Sequence, residues 1–189
     1  MEFLLENKMH FVTIGYIEWR KGQDILVDAV RRMPDDVREM CEFLLVGQDS
    51  SAMANALREE IESIPQIKMC GKVDRTKLQE ILKESDMLIC PSREDPMPTV
   101  AAEAMAFGVP CLLSDATGTV AYIKDGINGM KFRSEDAEQL CEKICWCVGH
   151  KEEVKQMGTE AEQVFKDVFS VEVFEDKMLT LVKEMLGDV

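Results

Sequence analysis

Pro91-Ser-Arg-Glu-Asp-Pro-Met-Pro-Thr-Val-Ala-Ala-Glu-Ala-Met-Ala-Phe-Gly-Val-Pro-Cys111 is the stretch whose reading decides the fold of this chain. Two short apolar runs bound it, Asp86-Met-Leu-Ile-Cys90 before and Val109-Pro-Cys-Leu-Leu113 after. Between them lie an acidic loop, the start of a helix and a Gly-Val-Pro turn. Apolar runs of strand length with a helix between them predict parallel strands joined by a crossover. In an open parallel sheet, ligands bind beyond the carboxyl ends of the strands. A helix starting there turns unpaired N–H groups and a partial positive charge toward the crevice. Pro96 and Pro98 suit such an entry, because proline needs no donor in a first turn and has a preset φ. The loop is thus suited to a phosphate. Asp95 and Glu103 frame it, eight positions apart, with Glu103 expected about two turns into the helix. A carboxylate repels a phosphate, so these acids are better employed on hydroxyls. A nucleotide-sugar carries both groups.

The same alternation runs through most of the chain. His10–Ile14, Cys41–Val46, Ile67–Cys70, Met87–Cys90, Cys111–Leu113 and Asn128–Phe132 read as strands. Met1 to Lys8 reads as a leader or linker tail. Ile25, Leu26, Ala29, Val30 and Met33 recur at helical spacing and stop at Pro34. Ser50 is the expected cap of a helix carrying Met53, Ala56, Leu57 and Ile61, and Asp74 of one carrying Leu78, Ile81 and Leu82. Three helices close the chain: one with Ala137, Leu140, Cys141 and Ile144, then Glu152–Phe169, then Val171–Leu186. Strands alternating with helices, joined by right-handed crossovers, predict an α/β, doubly wound, Rossmann-like domain with a parallel sheet of about six strands and extra carboxy-terminal helices. No repeat, low-complexity tract or interior linker divides residues 1–189, so one domain is expected.

Composition narrows the function classes. With 46% hydrophobic and 31% charged residues the chain belongs among ordered globular proteins. A net charge of −14 argues against nucleic acid or an anionic membrane as a partner, while leaving room for a small basic pocket. No apolar run is long enough to span a bilayer, so no direct membrane insertion is expected. The seven cysteines are odd in number and lie mostly in apolar runs, as buried thiols of a reducing cytoplasm do. Cys141, Cys145, Cys147 and His150 raise a zinc site, but Cys147 points away from the face shared by the first two, and no second cysteine pair completes a tetrahedron. No metal is expected.

A second polar segment, Gly15-Tyr-Ile-Glu-Trp-Arg-Lys-Gly22, follows the first strand. Glycine at a strand end lets backbone approach a ligand, and Lys21, with Arg20 nearby, supplies positive charge for a diphosphate. Gly71-Lys72-Val73 after the third strand reads equally as a ligand-facing loop and as an ordinary strand-to-helix turn.

These segments together resemble the retaining family 4 glycosyltransferases of the GT-B fold. The family pattern is Glu, seven residues, Glu, then Ala-Met-Ala-x-Gly-x-Pro, and Glu103 to Pro110 matches the second half at every fixed position. Asp95 stands at the first acid, with Glu94, one step out of register, as the alternative. Gly15, Lys21 and Gly22 match a Gly-Arg-Leu-x-x-x-Lys-Gly segment, though Tyr16 replaces the customary arginine. Thr117 to Gly129 resembles a further family segment, with Ala121 where glutamate is common.

The resemblance implies half of a GT-B fold: the donor-binding domain of an enzyme whose amino-terminal acceptor domain is absent from this chain, excised or encoded separately. Glu103 would take the ribose hydroxyls, Asp95 hydroxyls of the transferred sugar, and Gly71, Lys72 and Val73 the base edge. The backbone of Met97, Pro98, Thr99 and Val100, donating through the N–H groups of Met97, Thr99 and Val100, would hold the phosphates beside Lys21 with the help of the Thr99 hydroxyl. Lys21, Asp95 and Glu103 would be the catalytic set. A nucleotide-sugar, UDP-linked in preference to GDP-linked, is the expected donor, with no prosthetic group. The acceptor would be a glycan or a lipid-linked acceptor, met in the cytoplasm or at the inner face of a membrane. Alone, the domain should bind nucleotide weakly and transfer little. The alternative is a non-catalytic module that binds a nucleotide or a partner and keeps only the fold. Carboxylate pairs also serve glycoside hydrolases, but a phosphate-suited helix start argues against that use.

Overall fold

Short apolar runs of four to six residues suit the strands of a parallel sheet covered by helices on both faces. The computed structural model describes residues 8–186 and assembles six such runs into one parallel sheet. These are β1 (Met9–Ile14), β2 (Cys41–Val46), β3 (Ile67–Gly71), β4 (Met87–Cys90), β5 (Cys111–Ser114) and β6 (Gly129–Phe132). The spatial order is β3-β2-β1-β4-β5-β6, so the winding reverses between β1 and β4. Six strands were expected, and the last begins one residue later than the sequence suggested.

Eight α-helices are described: α1 (Gln23–Arg32), a short α2 (Asp35–Arg38), α3 (Ala52–Ile61), α4 (Arg75–Lys83), α5 (Thr99–Ala106), α6 (Ala137–Gly149), α7 (Lys151–Val164) and α8 (Val171–Leu186). A π-helical turn, Phe165–Phe169, extends α7. Successive strand residues point to opposite faces, and the core splits accordingly. Phe11, Phe43, Leu45, Met87, Ile89 and Leu112 pack against α1, α3 and α6. Val12, Leu44, Val46, Leu88, Cys90 and Leu113 pack against α4 and α5. Phe11 and Phe43, register partners in β1 and β2, stack with centroids 5.0 Å apart.

Two details depart from expectation. Ser51, not Ser50, caps α3 by accepting from the Ala54 N–H at 3.0 Å. The buried face of α3 is Ala54 and Leu57, and Ala56 is exposed. Neighbouring serines and alanines carry the same local signal, and packing chose between them. The leader or linker tail expected over Met1 to Lys8 lies, except for Lys8, outside the described residues. All seven cysteines are free thiols. Cys147 turns into the core against the sulfurs of Met87 and Met130, away from Cys141 and Cys145, whose sulfurs lie 3.9 Å apart. Helix α8 leaves the body of the fold, with Val171, Phe174, Met178, Leu181 and Met185 all exposed.

Candidate functional site

Where the winding reverses, β1 and β4 end side by side and the loops that leave them meet above the gap. After β1 the chain makes a 3-10 turn, Trp19–Lys21, and enters α1 through Gly22 at φ 68°. A Cβ on Gly22 would lie 2.0 Å from the Pro91 carbonyl oxygen, so only glycine lets these two loops touch. After β4 the chain crosses to the β5 side. The Asp95 N–H donates to Ala116 O at 3.2 Å and Asp95 O accepts from the Gly118 N–H at 2.9 Å. Held at both backbone groups, Asp95 turns its side chain inward and is 6% exposed.

There it meets Lys21. The Lys21 Nζ lies 2.5 Å from Asp95 Oδ2, with the two side chains 18% and 8% exposed. Thr13, Gln23, Pro98 and Val100 complete the walls, and the pair fills the cleft down to about 10 Å³, room for roughly one water. A charge pair so far out of water is not a free gain, but losing either partner strands the other. A ligand bearing both phosphate and hydroxyl could take the ammonium and the carboxylate apart without leaving either unpaired.

Helix α5 begins directly over this pair. Its cap position is Pro98, which has no side-chain acceptor, so its first N–H groups carry no side-chain cap. Helix α1 likewise begins at Gly22 uncapped. Thr99 is exposed, Val100 half-buried, and the sulfur of the exposed Met97 accepts from the Thr119 hydroxyl at 3.6 Å. Glu103 is the fifth residue of α5, one turn from its start instead of the two expected, because the helix begins only at Thr99. It shares the face of Thr99, is exposed, and makes no hydrogen bond or ion pair among the described residues. It lines neither the cleft nor the hollow described next.

That hollow, about 200 Å³ and mostly apolar, lies at the ends of β1, β2 and β3 and is lined by Gly15, Tyr16, Val46, Lys72, Val73 and Leu78. Ile14 borders both spaces. Gly71 lies behind it, accepting from the Gly47 N–H at 2.9 Å. Arg20 faces elsewhere: its guanidinium contacts Glu18 at 3.1 Å and the Glu94 carbonyl at 3.3 Å. Glu94 is exposed, so of the two neighbouring acids it is Asp95 that meets Lys21. A larger groove of about 540 Å³, between α1 and the start of α6, is lined by charged residues such as Asp28, Arg32 and Arg133 and holds none of the expected site residues.

Two residues not singled out in the sequence help build the cleft. Gln23 is 1% exposed and donates to Tyr16 O at 2.8 Å, while its Oε1 has no partner. Arg93 bridges the two loops through Asp24 and Trp19 O. The only signal for Gln23 was a polar residue on the apolar side of a helix start. Nothing local marked Arg93.

Residues 2–164 match the family of glycosyl transferases group 1. The chain belongs to that family. This group 1 chain is 29% identical over 131 residues to a D-inositol 3-phosphate glycosyltransferase of Xylanimonas cellulosilytica, covering 65% of itself and 30% of that relative. It spans less than half the length of the curated relatives it matches. Its fold is that of Anabaena Alr3699/HepE in complex with UDP, at TM-score 0.84 and 20% identity, over 94% of this chain and 49% of the other. Sucrose-phosphate synthase of Thermosynechococcus elongatus superposes at TM-score 0.85 and 21% identity, over 97% and 47%. The group 1 fold is thus α/β and Rossmann-like, matching GT-B glycosyltransferase structures. HepE has also been solved with UDP-glucose. No described helix is long and apolar enough to cross a membrane.

Proposed function

We propose that this chain is the donor-binding half of a retaining, family 4 glycosyltransferase. It holds a nucleotide-sugar, UDP-linked in preference to GDP-linked, whose sugar passes to an acceptor hydroxyl in glycan or polysaccharide assembly. One observation carries the reading: Lys21 and Asp95 meet at the reversal of the sheet, between two helix starts that have no side-chain cap.

In this reading the diphosphate draws the Lys21 ammonium from Asp95 and takes the N–H groups of Met97, Thr99 and Val100. Asp95, released, accepts hydrogen bonds from hydroxyls of the sugar. Glu103 reaches the ribose diol, for which a carboxylate with two acceptor oxygens is suited. The base lies toward Gly71, Lys72 and Val73 beyond Gly15, and Arg20 adds positive charge at the rim. As the bond to the sugar breaks, negative charge gathers on the departing diphosphate. Donors already aimed at it stabilise that charge at little reorganisation cost. Uridine is favoured because HepE, of the same fold, is bound to UDP and to UDP-glucose.

Residues 1–189 would act as one domain, and a second body would supply the acceptor wall. Tyr16, Trp19 and Met97 leave large apolar surface bare around the cleft, as expected of a wall awaiting its counterpart. Without it water is not excluded, and transfer should be slow. Calorimetric titration of the chain with UDP, GDP and ADP tests the reading. UDP should bind best, with Kd of about 0.1–1 mM; no heat from any of the three would overturn it. Glu103→Ala should weaken UDP about tenfold, and an unchanged affinity would remove Glu103 from the ribose.

A further inference from the structure

Lys21 and Asp95 sit on separate loops. The Arg20 guanidinium joins them once, at the Glu94 carbonyl, and Arg93 joins them with several bonds. Its guanidinium donates through Nη1 and Nη2 to the two oxygens of Asp24 at 2.9 and 2.6 Å, through Nη1 to Trp19 O at 2.7 Å, and through Nε to Glu135 Oε1 at 2.9 Å. The Trp19 ring lies 4.8 Å from the guanidinium centre. The side chain is only 12% exposed. The Arg93 N–H also donates to Arg20 O at 2.8 Å, stitching the backbones of the two loops together.

Arg93 and its anchors belong to three different parts of the carboxyl edge. Trp19 and Asp24 flank Lys21 in the segment after β1, Arg93 precedes Asp95 by two residues, and Glu135 lies between β6 and α6. Glu135 is the one non-glycine residue with positive φ, 65°, among the described residues. A left-handed backbone at a glutamate is costly and persists only where its surroundings hold it; here its carboxylate is held by Arg93. A planar fork with several fixed donors is what such a junction needs, since a lysine ammonium cannot reach paired carboxylate oxygens and a carbonyl in one plane.

We infer that Arg93 is a positioning residue: by tying Trp19, Asp24 and Glu135 to its own loop, it sets the Lys21 ammonium opposite the Asp95 carboxylate across the cleft. It touches neither partner of that pair and acts through the loops that carry them. The affinity part of the test rests on the nucleotide site proposed above; the exchange part does not.

The test compares the chain with Arg93→Ala and Arg93→Lys, at a temperature where each is fully folded. Backbone amide exchange should quicken at least tenfold at Lys21, Gly22 and Asp95 in both variants, while β1 and β4 keep their protection. UDP affinity by calorimetry should fall at least tenfold in Arg93→Ala and at least fivefold in Arg93→Lys, because lysine restores the charge without the fork. If Arg93→Ala does not fold, Arg93→Lys alone is decisive. Unchanged exchange at Lys21, Gly22 and Asp95 overturns the inference whether or not nucleotide binds. Local loosening with wild-type UDP affinity overturns it too, since the pair would then be set by something else. Should the parent chain bind no nucleotide, the functional reading fails and the exchange result still decides the role of Arg93.

Discussion

Helices α3 and α5 both start at the carboxyl edge of one sheet, each after a buried strand, yet only α3 closes its own first turn. Ser51 accepts from Ala54 N–H in α3, Asp74 from Lys77 N–H in α4, and Asp136 from Gln139 N–H in α6. At α1 and α5 the cap positions are Gly22 and Pro98, which have no acceptor to offer. These two helices follow β1 and β4, the strands between which the sheet reverses. An uncapped start leaves N–H groups that something else must satisfy. Helices α2 and α7 also begin without a side-chain cap, at Pro34 and His150, so what sets α1 and α5 apart is that their open starts face each other across the reversal, where Lys21 and Asp95 add the charged groups.

The sharpest way to break this comparison is at Gly22. Gly22→Ala places a Cβ against the Pro91 carbonyl in a left-handed backbone, and should cost about 4 kcal/mol or more in denaturant unfolding. A loss below about 1 kcal/mol would mean the two loops are not in contact. Lys21→Ala comes next, leaving Asp95 buried without a partner, at about 3 kcal/mol. Removing both side chains in Lys21→Ala/Asp95→Ala should restore much of that loss, and a strictly additive double variant would deny the pair any coupling.

Cys90 sharpens the comparison from beneath the cleft. Burial pushes the thiols of Cys41, Cys90 and Cys147 up to about 12, from an ordinary value of 9.0. The unfolded chain therefore loses these protons first as pH rises, and the folded state is weakened between pH 9 and 12 with no effect below. In the first unit above 9 the loss should be ~1 kcal/mol per thiol, read from urea midpoints. A flat stability across that unit would show the thiols to be wetted. Smaller still, Ser51→Ala and Asp74→Ala should each cost ~1 kcal/mol and leave UDP affinity unchanged. Glu103→Ala, at an exposed position, should move stability by less than ~0.5 kcal/mol; a larger loss would make it a structural residue.

Much of the fold was legible because its signals are periodic. The strands, the Asp74 cap, the breaks at Pro34 and the three closing helices follow from spacing that burial on two faces imposes. Irregular loops have no period, and there the reading was weaker. Ser50 and Ser51 are chemically alike, and only the path of the chain past Ile17 O, which accepts from the Ser51 hydroxyl at 2.6 Å, selects the second. Arg20 and Lys21 are adjacent cations, and the 3-10 turn sends one to Glu18 and the other to Asp95. Arg93 was invisible because its partners lie 42 to 74 residues away in sequence.

The sequence by itself determined that strands and helices alternate, that the chain carries a glycosyl transferase signature from Glu103 to Pro110, and that Asp74 caps the helix it precedes. These are properties of spacing and of side-chain chemistry, present before the chain folds. Only the tertiary structure decided that Asp95 and not Glu94 faces Lys21, that Glu103 stands one turn up an exposed face, and that Arg93 joins three loops. Those outcomes depend on where distant backbones cross, which hydrogen bonds and packing between strands fix and no local pattern encodes.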